Sequence, residues 1–152
     1  MTITYQLESW KDYHKDCQEL WVEHYDEIAV QKDKIKMNPN VEHYKQMEEV
    51  GGLHIITVRE DGKMIGYHVS FVRAHPHYAD MLCGFVDAYF LTASKRKGMT
   101  GVKMIKEAEN SLKKRGVKKL FSGTKNSKDM SKVFEYLGWH LTEQLFTKYI
   151  GE

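Results

Sequence analysis

Between Phe85 and Leu112 the pattern of apolar residues changes from strand-like to helical, with a basic, glycine-containing turn at the change. Phe85-Val86-Asp87-Ala88-Tyr89-Phe90-Leu91 is rich in aromatic and β-branched residues, as a buried strand is. Gly101, Met104, Ile105, Ala108 and Leu112 then recur at the spacing of one helix face. A chain built around this unit must bury the strand in a sheet and lay the helix on one face of it. The turn between them, Arg96-Lys97-Gly98-Met99-Thr100-Gly101, presents unpaired backbone N–H groups at the positive end of a helix dipole. That arrangement suits phosphate. An ordinary strand-to-helix loop with a solvated basic face has the same local pattern.

The flanking segments supply the other elements. Residues Ile3 to Leu7 alternate as a short first strand. From Trp10 the spacing of Trp10, Tyr13, Cys17, Leu20, Trp21, His24 and Ile28 reads as one long helix. Its aromatic stripe is a core face or, alternatively, a row of substrate contacts. Asn38-Pro39-Asn40 breaks the chain, and Val41, Tyr44, Met47 and Val50 mark a second helix stopped by Gly51-Gly52. Leu53 to Arg59 and the alternating Ile65, Tyr67, Val69 and Phe71 form a hairpin on Asp61-Gly62. His75-Pro76-His77 is a loop before the strand that ends at Leu91. After the glycine turn and its helix, Val117 to Ser122 is a strand, and Met130, Val133, Phe134 and Leu137 form a helix face ending at Gly138. Trp139, Leu141, Leu145 and Tyr149 fall on one side of a final strand. The order predicts an α/β fold of mixed α+β character, with helices on both faces of a mixed, mostly antiparallel sheet of about six strands.

At 152 residues the chain is expected to form a single domain over residues 1–152. Charged residues make up 29% but the formal net charge is only +2, which gives no reason to expect nucleic acid or a membrane as partner. No apolar stretch approaches a transmembrane span, and Met1-Thr2-Ile3-Thr4-Tyr5 lacks the regions of a signal peptide. Cys17 and Cys83 read as reduced thiols in a cytoplasmic protein.

Over almost its full length the chain resembles the GNAT superfamily of N-acetyltransferases, and is most similar to small members encoded by tailed phages, whose place of action would be the host cytoplasm. The element order matches. The stretch from Leu91 to Ala108 is similar to the family's acetyl-CoA motif, Arg/Gln-x-x-Gly-x-Gly/Ala. Phe134-Glu135-Tyr136-Leu137-Gly138-Trp139 resembles its Tyr-Glu-Lys-Leu-Gly-Phe ending. The turn aligns in two registers. Lys95-x-x-Gly98-x-Thr100 keeps the central glycine and loses both ends. Arg96-x-x-Met99-x-Gly101 keeps both ends and puts Met99 at the center. The second is preferred, because it places Met104 and Ile105, and not Lys103, at the buried helix positions.

The resemblance implies acetyl-CoA as cosubstrate and transfer of its acetyl group to a primary amine by direct attack in a ternary complex. The amine could belong to a small molecule or a protein, and the sequence leaves homodimer formation open. The implied cofactor contacts are the backbone of Arg96, Lys97, Gly98, Met99, Thr100 and Gly101 for pyrophosphate. The strand edge at Phe90, Leu91 and Thr92 is implied for pantetheine, where the strand would splay from its neighbor. Asn126 is expected near the pantetheine arm, or as a turn residue, and Phe134 beside the cofactor. Phe134 stands where the family often has a tyrosine as general acid, and phenylalanine donates no proton. Tyr136 lies about 200° further around the helix.

Asp87 and Tyr89 are the candidate catalytic residues, placed by period-two counting on one face with Phe85 and Leu91. Asp87 would act as base or, alternatively, pair with a buried Arg, Tyr or His. Glu23, His24 and Glu27 are further candidates, with a solvated helix face as the alternative for the glutamates. His75-x-His77 lacks a third metal ligand at suitable spacing, and Lys113-Lys114-Arg115 with Lys118-Lys119 reads as a solvated basic edge. The competing reading is a catalytically degenerate GNAT-fold module that binds CoA or a protein partner, suggested by Phe134, Met99 and the short C-terminal region.

Overall fold

A computed structural model describes residues 1–152. Strand β1 (Ile3–Leu7) leads into α1 (Trp10–Asp16), α2 (Gln18–Ile28) and α3 (Val41–Glu49). Then come β2 (Leu53–Glu60), β3 (Lys63–His75) and β4 (Tyr78–Leu91). A single 3-10 turn at Ala93–Lys95 precedes α4 (Thr100–Lys114), β5 (Lys119–Phe121) and α5 (Ser131–Tyr136). No helix is long and apolar enough to cross a membrane.

The sheet runs β1-β2-β3-β4-β5, antiparallel throughout except for the parallel β4–β5 pair. Asp61 and Gly62 turn the β2–β3 hairpin with φ of 49° and 87°. Two successive left-handed residues match the twist of the strands, which is why Asp-Gly serves here. Helices α1, α2 and α3 cover one face, where Trp10, Tyr13, Cys17 and Leu20 pack on Ile55, Tyr67, Val69 and Phe90. Helix α4 covers the other, seating Met104 on Val58, Ile65 and Leu91, and Leu112 on Val72.

Two expectations are corrected. The helix expected from Trp10 to Ile28 is divided at Cys17, which ends α1 and begins α2. The apolar stripe continues through the break, so the pattern alone could not reveal it. Ser9 Oγ caps α1 by accepting from Asp12 N–H at 3.2 Å. The sheet has five strands and not six, because residues 139–152 form no regular element. Trp139 is tied to Phe134 O and Glu109, but Leu141, Leu145, Phe146 and Ile150 are 78 to 89% exposed. Strand β5 has three residues, so its outer edge provides too few ladder bonds to hold a sixth strand.

Two buried histidines and one half-buried one are expected to make the fold acid-sensitive. His54 and His68 lie between the sheet and α4, and His24 packs on Phe90. Burial lowers His54 to about 3, and His24 and His68 to about 4, from an ordinary 6.5. The folded protein therefore keeps all three neutral while the unfolded chain protonates them below about pH 6.5. Stability should be full above that pH and should fall as pH drops toward 4. The slope is about 1.4 kcal/mol per unit for each histidine titrating only in the unfolded state. Urea midpoints at pH 7.5, 6 and 5 should fall progressively; a constant midpoint would contradict the burial of these rings.

Candidate active site

Strand β4 carries one extra residue at the site. Ala88 pairs with Val69 and Val86 pairs with Ser70, so Asp87 is the bulged residue between them. The insertion shifts the alternation by one. Asp87 lines a pocket on the α1–α3 face with Ala88, while Tyr89 and Leu91 point to the α4 face. The expected common face for Asp87, Tyr89 and Leu91 is thus corrected. Period-two counting fails across a bulge, and the bulge aims Asp87 into the pocket.

The pocket measures about 210 Å³ and is walled by α2, α3, the segment between them and the middle of the sheet. Asp87 Oδ2 accepts from the Tyr44 hydroxyl at 2.6 Å. Surrounding protein raises the Asp87 carboxyl above its ordinary value by desolvation, partly offset by that hydrogen bond and by His43. The side chain remains open to solvent at the pocket lip. So the pairing expected as an alternative to catalysis exists, with a tyrosine, and coexists with a reachable carboxylate. Deeper in, His24 Nδ1 and the Tyr67 hydroxyl share a hydrogen bond at 2.7 Å.

On the α4 face, the Tyr89 hydroxyl donates to Gly123 O at 2.8 Å, and its ring meets Phe134 edge-on at 5.7 Å. Burial raises its pKa. Phe134 is half-buried against Trp139, and Tyr136 is 71% exposed, facing away as its helical offset requires.

Strands β4 and β5 pair only from Cys83–Lys119 to Phe85–Phe121, then part. Beyond Phe85 the edge of β4 is open. Thr92 N–H donates to Ile65 O on β3, so by alternation Phe90 also faces β3 and Leu91 faces the open edge. Of the expected contacts Phe90, Leu91 and Thr92, only Leu91 offers its amide there. Phe90 is a core side chain, 4% exposed and stacked on His24.

At the strand end the chain turns through Gly98, whose φ of +82° is a left-handed conformation that favors glycine. Met99 is the N-cap of α4 and is half exposed, with no side-chain cap bond. The amides of Lys97, Gly98, Met99, Thr100, Gly101 and Val102 have no acceptor within the protein; the first helical bond is Lys103 N–H to Met99 O. Lys103 is exposed, whereas Met104 and Ile105 are each 2% exposed, as the preferred register requires. Gly101 has open space at the helix start: a Cβ there would meet only Leu91 Cδ2, at 3.8 Å.

Arg96 plays a different part from the one expected. Its amide donates to Ala93 O, its Nε donates to Leu91 O at 2.7 Å, and its guanidinium pairs with Glu27 at 2.8 Å. Glu23 accepts from Thr92 Oγ1 at 2.8 Å and from the Ala93 amide at 3.2 Å. These two glutamates are not a solvated face; they fasten α2 to the end of β4. Asn126 is exposed in the turn closed by Lys128 N–H to Lys125 O, which favors its turn reading. No group of three or more His, Cys, Asp or Glu side chains that could hold a metal forms, at His75 and His77 or elsewhere. Sequence reasoning did not single out Tyr44 or Lys125 for the pocket. Asp87, His24 and the aromatic content of the first helices pointed there.

No protein-family model and no curated protein sequence matches the chain. Solved structures do. A predicted acetyltransferase with acetyl-CoA from Clostridium acetobutylicum is 13% identical with a TM-score of 0.74, covering 98% of this chain and 97% of its own. Glucosamine-6-phosphate N-acetyltransferase from Arabidopsis thaliana is 14% identical with a TM-score of 0.74, covering 99% and 100%. A transcriptional regulator from Bacillus halodurans is 14% identical with a TM-score of 0.75, covering 98% and 100%. At these identities the likeness is one of fold, and it is the fold expected from the GNAT resemblance.

Proposed function

We propose that the protein is an acetyl-CoA-dependent N-acetyltransferase that moves an acetyl group to a primary amine by direct attack in a ternary complex. One observation carries this reading. An open strand edge ends in a turn of unpaired amides, and a pocket containing a carboxylate lies on the strand's opposite side. The residues fit the cosubstrate: the amides from Lys97 to Val102 suit a pyrophosphate, and Gly101 leaves room for it.

When bound, acetyl-CoA supplies an activated acetyl thioester and a thiol leaving group. Asp87, held by Tyr44, accepts the proton that the substrate ammonium must lose before its nitrogen attacks, directly or through water. The Leu91 N–H donates to the oxygen on which negative charge develops. A C–N bond forms, a C–S bond breaks, and one proton is released per acetamide and thiol made. Tyr89 already donates to Gly123 O, so protonation of the thiolate falls to solvent.

A second reading, a CoA-binding or protein-interaction module without catalysis, draws on Phe134 and on the fold shared with a transcriptional regulator. Calorimetry with acetyl-CoA and CoA, then thiol release over a panel of amines, separates the two. Absence of binding at millimolar ligand rejects the transferase. Binding without turnover on any amine favors the module.

Phe134→Tyr should fold normally, because the ring is only half-buried, and should raise kcat. General acid catalysis contributes about 10²–10⁴-fold, so partial restoration would be visible in thiol-release kinetics. Lower activity at unchanged stability would show that Phe134 packs against the cofactor and that the proton comes from another group.

A further inference from the structure

Asp87 and Lys125 are the charged side chains lining the pocket, and they carry opposite signs. Neither has an ionic partner within the protein. No carboxylate lies within salt-bridge distance of Lys125, and Asp87 is held by the neutral Tyr44 hydroxyl. Nor do they pair with each other. The other nearby charges are engaged, since Glu27 and Arg96 hold one another. His24, inside the pocket, is neutral at ordinary pH because burial lowers it to about 4.

The rest of the lining is mostly apolar or aromatic, and includes Trp21, Ile28 and Met37. Hydroxyl-rich sugars would find few partners there: the Tyr44 hydroxyl is bonded to Asp87, the Tyr67 hydroxyl to His24, and the Tyr13 hydroxyl accepts from Trp21 Nε1 at 2.6 Å. The volume of about 210 Å³ is below the roughly 300–1,000 Å³ typical of sites for drug-sized ligands. It equals the space of about seven waters at about 30 Å³ each. A single amino acid with a large side chain fits those bounds.

We propose that the pocket binds a free α-amino acid with a large apolar side chain. Its ammonium group sits at Asp87, its carboxylate at Lys125, and its side chain among Trp21, Ile28 and Met37. Naming this ligand the acetyl acceptor rests on the transferase reading; its binding does not. As acceptor, its nitrogen forms the C–N bond as the thioester C–S bond breaks. The products are the N-acetyl amino acid, the CoA thiol and one proton.

Calorimetry and ligand-observed NMR on the full chain without cofactor test the site. The probes are L-phenylalanine, phenethylamine (which lacks the carboxylate) and 3-phenylpropionate (which lacks the amine). L-Phenylalanine should bind at least about tenfold more tightly than either analog, the effect of one charge-assisted contact. L-Leucine and L-methionine should bind and glycine should not. Lys125→Gln should reduce L-phenylalanine to the level of phenethylamine while leaving phenethylamine and acetyl-CoA affinity unchanged. Phenethylamine binding as tightly as L-phenylalanine overturns the proposal. So does an equal loss for both ligands in Lys125→Gln, a weakened acetyl-CoA affinity in that variant, or no amino-acid binding at 10 mM (roughly a 3 kcal/mol interaction). Acetyl transfer to other amines without amino-acid binding would overturn this site and keep the transferase. Amino-acid binding without transfer to any amine would do the reverse.

Discussion

Gly101→Glu is expected to abolish acetyl-CoA binding in a protein that remains folded. The two halves of that result have separate causes. Gly101 is the second residue of α4, and a Cβ there meets only Leu91 Cδ2 at ordinary contact distance, so no clash opposes the longer side chain. In the first turn of a helix a carboxylate is also favorable to the dipole, by about 0.3–1 kcal/mol, so the melting temperature should hold or rise slightly. The same carboxylate stands among the amides that would receive a pyrophosphate. Two like charges about 5 Å apart repel by on the order of 3 kcal/mol at an effective dielectric of about 20. Binding should therefore weaken by at least about 100-fold in calorimetry, with a melting curve on the same preparation. Gly98→Ala is a useful contrast. It meets no atom but forces a side chain onto φ of +82°, so it should lower stability and affinity together. Unchanged affinity in folded Gly101→Glu would move the phosphate site off this turn.

Much of this architecture could be read from periodicity. Met104, Ile105, Ala108 and Leu112 mark the buried face of α4, and Asp61-Gly62 marks the hairpin, because local patterning and tertiary burial agree there. What escaped was set by pairing at long range. The bulge at Asp87 exists because Val69 and Ser70 on β3 face three residues of β4, and nothing local announces it. Arg96 resembles a phosphate ligand in sequence. Its actual partners, Glu27 and the Leu91 carbonyl, lie on a helix 69 residues earlier and on the strand just before it. Trp139, Leu141, Leu145 and Tyr149 have the alternation of a strand but no edge long enough to receive one. The pocket is legible only in part, through Asp87, His24 and an excess of aromatic residues in the first helices, since Tyr44, Asp87 and Lys125 come together from three distant segments.

Asp87→Asn separates chemistry from architecture at the other half of the site. Asparagine keeps the shape, and its carbonyl oxygen can still accept from the Tyr44 hydroxyl, so the α3–β4 contact survives. The carboxylate sits partly desolvated at the pocket lip with no ionic partner, so its neutralization leaves no opposite charge unpaired. Stability and acetyl-CoA affinity should change little. An amide cannot take the proton that the substrate ammonium must lose to become a nucleophile, so kcat/KM should fall by about 10²–10⁴-fold. The pH dependence carries a second signature. Desolvation holds the Asp87 carboxyl above its ordinary value, so the acidic limb of kcat/KM should be shifted up in the same direction and disappear in Asp87→Asn. Tyr44→Phe removes the hydrogen bond that favors the carboxylate. The Asp87 pKa must then rise further, and the limb must move to higher pH at nearly unchanged acetyl-CoA affinity. If Asp87→Asn instead retains wild-type kcat/KM while the melting temperature drops, Asp87 is a structural partner of Tyr44, and amine deprotonation belongs to solvent.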